Sequence, residues 1–162
     1  MKRLSISLIL CLFTLSNVFA QSIESELRDF ARSQYPDDLE MQNYIYKEQK
    51  SAYDYMRTVT DSEIEQIAKE EYSNDYSMQK YVYNNQIAAK NYMKSVIDSE
   101  LKDISHREYP SDYSMQKYTY DNQLSAKNYM KSASNSTAKE KAEREYPNDY
   151  SMQKYVYDKI MY

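Results

Sequence analysis

The chain repeats one tyrosine-rich segment four times at a constant offset of 37 residues. The third copy reads YPSDYSMQKYTY from Tyr109, and near copies start at Tyr35, Tyr72 and Tyr146. Periods of about 20–50 residues are typical of arrays in which one supersecondary unit cannot bury its own apolar face and packs on the next. The repeats expected from this spacing, of which the fourth is shortened, are residues 25–61, 62–98, 99–135 and 136–162.

Each repeat divides into a short and a long helical segment. In the second repeat, Ile64, Ile67 and Ala68 lie along one face of a short helix. Ser62 followed by Glu65 has the spacing of a capping box, which predicts that Ser62 is the N-cap of this helix.

Proline marks the boundary between the two segments in three of the repeats. Pro36, Pro110 and Pro147 disfavour helix in the residue before them and suit the first position of a new helix. An aspartate follows each proline two residues later, where its carboxylate would meet the positive end of that helix. We therefore expect one helix to end before each proline and another to begin at it.

The long segment of the second repeat extends from Tyr76 to about Val96. A strand is the alternative, because tyrosine favours strands and residues 80–84 alternate in polarity. That alternation lasts only about five residues, and tight hairpins are hard to form in a chain without glycine. We therefore predict a helix, whose apolar stripe consists of Met78, Tyr81, Val82, Ala89, Tyr92, Met93 and Val96.

These patterns predict an all-α protein, and specifically a short α-solenoid of stacked helix-turn-helix units. A single long helix per repeat is disfavoured by Asp98 and Ser99, because short polar residues prefer helix caps. The repeat length is similar to those of tetratricopeptide and Sel1-like repeats. The glycine and alanine signatures of both families are absent, so the chain is assigned to neither.

All but Tyr53 and Tyr162 of the 20 tyrosines fall in columns that recur every 37 residues. Tyrosine and methionine can replace scarce aliphatic residues in a core, and we assign that role to the columns of Met78, Tyr81 and Tyr92. The other columns hold more rings than one stripe can bury, and tyrosine is common at binding surfaces. The residues predicted to line an exposed partner-binding ladder are Tyr46, Tyr76, Tyr83, Tyr113, Tyr120, Tyr150 and Tyr157.

The first 20 residues have the organisation of a cleaved signal peptide. Two basic residues precede an apolar segment at residues 4–15, and Val18 and Ala20 are the small residues of a cleavage site. A membrane span would need about 20 apolar residues, so this segment is too short. We expect cleavage after Ala20, a tyrosine-rich helical repeat domain at residues 21–162, and a secreted or periplasmic location.

The composition argues against catalysis and against nucleic-acid binding. The net charge is −4 at pH 7 and the two signs are interspersed, so no basic patch is expected for a phosphate backbone. His106, the only histidine, occupies a column of charged residues, which indicates a surface role. No nucleophile with a base, zinc-ligand cluster or glycine-rich phosphate loop can be assembled. We therefore expect no enzymatic activity, no cofactor and no metal.

Repetition without catalytic groups favours an exported, non-enzymatic protein that binds a protein or peptide through its tyrosine-rich face. Two alternatives stay open. The first is a self-associating structural component of the cell envelope, in which copies stack end to end. The second is a glycan-binding protein whose tyrosine rings stack on sugars. None of these roles requires stable insertion into a membrane.

Overall fold

The computed structural model describes residues 22–162, so the predicted signal peptide lies outside the described range. These residues form helices joined by short turns, with no strand among them, which confirms the all-α prediction. Within residues 22–162, no helix is both long enough and apolar enough to cross a membrane. The helices are α1 (residues 22–34), α2 (Leu39–Met56), α3 (Ser62–Glu71), α4 (Tyr76–Ser95), α5 (Ser99–Glu108), α6 (Tyr113–Ser132), α7 (Ser136–Glu145) and α8 (Tyr150–Met161).

Short and long helices alternate along the chain, as the two-segment interpretation of the repeat predicts. α3, α5 and α7 have 10 residues each, whereas α4 and α6 have 20. Contacts divide the chain into two compact parts after Tyr83, within α4. The described residues 22–83 form the N-terminal part, and residues 84–162 form the C-terminal part.

Short polar residues cap the helices that follow α1. At the short helices, the side chains of Asp61, Asp98 and Asn135 accept from backbone N–H groups three residues later, at 3.3, 3.2 and 3.0 Å. Such caps satisfy N–H groups that have no partner within the helix, and a carboxylate also suits the positive helix end. The capping-box prediction is therefore wrong by one residue, because Ser62 is the first helical residue and Asp61 is its N-cap.

The prolines lie in the turns and not inside the helices. Pro110 precedes the first residue of α6 by three positions, and Asp112 between them is the N-cap that accepts from the Met115 N–H at 3.0 Å. The expectation of proline at the first helical position is therefore wrong. Aspartate caps the long helices because its side-chain oxygen can accept from the helix backbone, which a proline ring cannot do.

One row of glutamines joins the short helix to the long helix within each repeat. Gln79, Gln116 and Gln153 are almost completely buried. Their amide nitrogens hold the carbonyl oxygen of the tyrosine that ends the preceding short helix, where helix carbonyls lack internal partners. With Gln42, the four donor–acceptor pairs are Gln42–Tyr35, Gln79–Tyr72, Gln116–Tyr109 and Gln153–Tyr146, at 2.7, 2.6, 2.7 and 2.6 Å.

A second row of buried glutamines joins each long helix to the start of the next long helix. In the C-terminal part, the amide nitrogen of Gln123 donates to the carboxylate of Asp149 at 2.9 Å, and its oxygen accepts from the Ser151 N–H at 3.2 Å. Gln49 makes the same contact with Asp75 at 2.7 Å in the N-terminal part, and Gln86 with Asp112 at 2.9 Å. The side chain that caps one helix is therefore itself held by the preceding long helix.

Three tyrosines of the predicted exposed ladder are core residues. Tyr83, Tyr120 and Tyr157 are only 6, 3 and 5% exposed. Each hydroxyl accepts from the backbone N–H of the N-cap residue 22 positions earlier, which is Asp61, Asp98 or Asn135, at 3.2, 3.4 and 3.2 Å. The prediction of exposure is wrong for these three because the hydroxyl finds a partner that makes its burial favourable.

The cores of the C-terminal part are small and repeat the same columns. Met93, Leu101, Ile104 and Tyr120 form one buried cluster between α4, α5 and α6. Met130, Ala138, Ala142 and Tyr157 form the equivalent cluster between α6, α7 and α8. The fourth repeat has alanine and lysine in the columns where the third repeat has Leu101 and Ile104, so less apolar area is buried there.

Removal of the Tyr157 hydroxyl is expected to destabilise the fold. Tyr157→Phe keeps the ring but leaves the Asn135 N–H without its acceptor, which should lower the free energy of unfolding by about 1 kcal/mol. Urea unfolding followed by circular dichroism measures this change. The control, Tyr155→Phe on the exposed side of α8, should stay within about 0.5 kcal/mol of the wild type. Equal losses in both variants would contradict the capping role of Tyr157.

Asp112 is expected to be among the most sensitive polar positions because it both caps α6 and holds Gln86. Asp112→Ala should lower the free energy of unfolding by about 2 kcal/mol or more, through the lost cap and the unpaired glutamine amide. Asp112→Asn keeps an acceptor oxygen and should recover most of this loss. Asp37→Ala, at an exposed turn position, should have almost no effect in the same unfolding experiment. A small effect of Asp112→Ala would show that the glutamine contact adds no stability.

Candidate interaction surface

One tyrosine column remains exposed on all four long helices. Tyr44, Tyr81, Tyr118 and Tyr155, hereafter the outer tyrosine column, are 56, 61, 62 and 58% exposed. Among residues 22–162, none of these four side chains makes a hydrogen bond, a ring contact or a cation–π contact. Isolated exposed apolar residues are common, but the same large ring recurs here at one position of every long helix.

Helix geometry explains why this column is exposed. Tyr81 lies two residues before the buried Tyr83, and a helix turns by about 200° over two residues, so the two rings point to opposite sides. The assignment of Tyr81 to the core is therefore wrong. The buried stripe of α4 contains Gln79 and Gln86 in addition to Val82, Tyr83, Ala89 and Met93, and these glutamines complete the helical spacing.

The outer face of α6 around Tyr118 combines neutral polar side chains with one ion pair, in which Lys117 Nζ lies 2.7 Å from the Asp121 carboxylate. Asn122 and Ser125 follow Tyr118 at four and seven residues, so they lie on the same side of the helix, and both are exposed. On α2, by contrast, Glu48 follows Tyr44 at the same spacing. The α6 face therefore combines an unpartnered ring, neutral groups that donate and accept hydrogen bonds, and a lysine and an aspartate that are paired with each other. Such a composition is suited to contact with another molecule.

The remaining ladder candidates are partly buried and already have partners. Tyr46 donates to Glu24 at 3.0 Å, and the Arg28 guanidinium lies 4.2 Å from its ring centroid. Tyr76 donates to Glu26 at 3.5 Å and packs edge-on against Tyr53, with ring centroids 5.1 Å apart. These contacts tie rings to neighbouring helices, so they describe intramolecular packing.

Tyr150 and Tyr113 are the last two ladder candidates, and a lysine lies over each ring. Lys127 Nζ is 4.9 Å from the centroid of Tyr150, and Lys90 Nζ is 4.9 Å from that of Tyr113. The Tyr150 hydroxyl also lies 3.1 Å from both carboxylate oxygens of Glu100. The structure therefore brings none of the seven predicted ladder residues into the outer tyrosine column.

Lys127 lies at the centre of a compact ion cluster. Its ammonium donates to Glu100 at 2.7 Å and to Asp98 at 2.9 Å. These hydrogen bonds raise the pKa of Lys127 above its ordinary range and lower the pKa of both carboxyl groups. Because one ammonium holds two carboxylates at the start of α5, the cluster has the character of a structural contact between α5 and α6.

Two tyrosines have strongly raised pKa values because each donates a hydrogen bond to an aspartate on the next long helix. The hydrogen bond from Tyr92 to Asp121 raises the pKa of Tyr92 to about 12. Tyr129 donates to Asp158 at 2.6 Å, which likewise raises its pKa to about 12. Both phenols are thus held neutral, and neither is suited to act as a base near neutral pH.

Residues 22–162 contain no group of three or more His, Cys, Asp or Glu side chains that could hold a metal ion. Comparison with known proteins adds no assignment, since no family model, curated protein or solved structure matches this chain. The outer tyrosine column is therefore the candidate surface that the geometry of the described residues supports. The outer tyrosine column could not be identified from the sequence pattern, because the recurring glutamines were not assigned to the core.

The tyrosine–aspartate pairs are expected to be visible in an alkaline titration. The folded chain holds the Tyr92 proton more tightly than its ordinary pKa of 10.0 implies, so the pair stabilises the fold below about pH 10 and this stabilisation is lost as pH rises towards about 12. Asp121→Asn should return the pKa of Tyr92 towards 10.0, measured from the Cζ signal of ¹³C-labelled tyrosine. Asp158→Asn should shift Tyr129 and leave Tyr92 near 12. An unchanged Tyr92 titration in Asp121→Asn would contradict this explanation.

Proposed function

We propose that this chain is a non-enzymatic, exported repeat protein that binds a protein or peptide partner through the outer tyrosine column. The observation that carries this proposal is the exposure of one unpartnered tyrosine at the same position of all four long helices. Tyrosines of three other columns, by contrast, make hydrogen bonds or ring contacts inside the fold. Within each compact part of the chain, two long helices carry such a ring and offer two equivalent contact points to a partner.

The physical chemistry of tyrosine supports this choice. The side chain has only two rotatable torsions, so its large ring can be covered by a partner at a small cost in conformational entropy. Its hydroxyl can donate and accept at the same time. A ring that is more than half exposed before binding has apolar area still available for burial, at roughly 25 cal/mol per Å².

We also propose that the repeats stack as a solenoid and that the chain is secreted or periplasmic. The glutamine contacts with an offset of 26 residues support stacking, because each joins one long helix to the next within a part of the chain. The sequence pattern of residues 1–20 supports export, with cleavage after Ala20. In such an array, the outer column of successive long helices would present rings at regular intervals.

Site-specific photo-crosslinking in the native host tests the proposed surface. Replacement of Tyr118 by p-benzoylphenylalanine should give a crosslink to one dominant foreign protein, identified by mass spectrometry. The same probe at Ile97, which is 96% exposed but lies in the turn between α4 and α5, should not give that product. With the partner in hand, Tyr118→Ala should weaken binding at least about tenfold, as expected for a contact ring.

The matched variants separate binding from folding. Tyr118→Ala removes an exposed ring and should change the free energy of unfolding by less than about 0.5 kcal/mol. Tyr120→Ala removes the buried neighbour and should destabilise the chain by about 3 kcal/mol or more.

Crosslinking of the chain only to itself at position 118 would favour the self-associating envelope component. Crosslinks at position 97 but not at 118 would refute the proposed surface, and binding of cell-wall fragments with quenching of tyrosine fluorescence would favour a glycan ligand.

A further inference from the structure

A basic cleft opens in the C-terminal part of the chain, between α4, α5 and α6. Its cavity volume is about 330 Å³. The charged groups that line it are Lys90 and Lys94 from α4 and Lys102, Asp103 and His106 from α5. Lys94 and Lys102 thus face one carboxylate there, although the chain as a whole carries a net charge of −4.

The repeat provides an internal comparison for this cleft. The column pair Lys102 and His106 corresponds to Glu65 and Lys69 in the second repeat and to Lys139 and Glu143 in the fourth. Those two pairs are ion pairs, at 2.5 and 4.0 Å. The third repeat has histidine where the fourth has glutamate, so Lys102 has no carboxylate one helical turn away on the C-terminal side.

The ammonium groups of Lys94 and Lys102 remain available in the part of the chain that the structure describes. Among residues 22–162, neither Lys94 nor Lys102 has a carboxylate oxygen within 4.0 Å of its Nζ, and Asp103 forms no ion pair with them. Lys90 is held over the ring of Tyr113, with Nζ 4.9 Å from the centroid. Two unneutralised cations therefore face a cavity whose floor is formed by the buried Met93 and the ring of Tyr113.

His106 presents a hydrogen-bond donor at this cleft. The amide nitrogen of Gln116 is fixed by its hydrogen bond to the Tyr109 carbonyl at 2.7 Å, and it lies 3.3 Å from His106 Nδ1. Because an amide nitrogen only donates, Nδ1 must accept, which places the proton of the neutral imidazole on Nε2. Nε2–H is then left to donate to a ligand.

We propose that this basic cleft binds the phosphate group of a small phosphorylated molecule, with Lys94, Lys102 and His106 as its donors. The excess of lysines over carboxylates matches a phosphate monoester, which carries a charge of about −1.5 to −2 near neutral pH. Ammonium groups bind phosphate well as point charges, and its oxygens can accept from several donors at once. The site is independent of the outer tyrosine column.

An NMR titration of the purified protein with inorganic phosphate tests this site. At low ionic strength, phosphate should shift the signals of Lys94, Lys102 and His106 saturably, whereas acetate should have little effect. Lys94→Gln combined with Lys102→Gln should weaken phosphate binding at least about tenfold, because two charge-assisted hydrogen bonds are lost. The matched control is Lys131→Gln with Lys139→Gln, the same columns in the fourth repeat, and it should bind phosphate as the wild type does.

A second variant gives the third repeat the lysine–glutamate pair of the fourth repeat. His106→Glu places a carboxylate one turn from Lys102, as Glu143 is from Lys139, and should abolish the phosphate-induced shifts while the helical signal in circular dichroism is retained. Vesicles of phosphatidic acid, whose headgroup is a phosphate monoester, compared with vesicles of phosphatidylcholine, distinguish the sources. Displacement of phosphate by the anionic vesicles would identify a lipid headgroup as the carrier, and no displacement would identify a soluble phosphate compound. Absence of saturable shifts, or equal weakening in both lysine double variants, would overturn the proposal.

Discussion

The fold depends on buried glutamines that hold helix ends. Helix termini carry N–H and C=O groups without internal partners, and burial of such groups costs free energy unless they are paired. Glutamines of the first row donate to the carbonyl groups at the ends of the short helices. Glutamines of the second row donate to the aspartates that cap the long helices. With few aliphatic side chains to pack, the chain obtains its order from these directional contacts as much as from apolar area.

The regularity of the repeat made the secondary structure predictable. The 37-residue period and the recurring aspartates placed the short and long helices to within a few residues, because caps and helix stops are local properties of the sequence. The orientation of the tyrosines was not predictable in the same way. The predicted apolar stripe of α4 did not include Gln79 and Gln86, and without them it contained Tyr81 and left out Tyr83.

The hydrogen-bond partner of Tyr83 explains why its burial is difficult to predict from the sequence. Its hydroxyl contacts a backbone N–H that lies 22 residues earlier in the chain, on another helix. Contacts of this kind depend on how helices pack and leave no signal within one helical stripe. The basic cleft has a different origin, because there one residue, His106, departs from the carboxylate that the fourth repeat has in its column.

The second glutamine row also restricts how such a chain can change in length. Gln86 meets Asp112, and Gln123 meets Asp149, and in both pairs the two residues are 26 positions apart. One residue inserted within a helix of that stretch would rotate the following side chains by about 100° and advance them by about 1.5 Å, which separates amide from carboxylate. Only the gain or loss of a complete 37-residue repeat preserves every such contact. The chain can therefore lengthen or shorten by whole repeats, because each glutamine amide must still reach the aspartate of the next long helix.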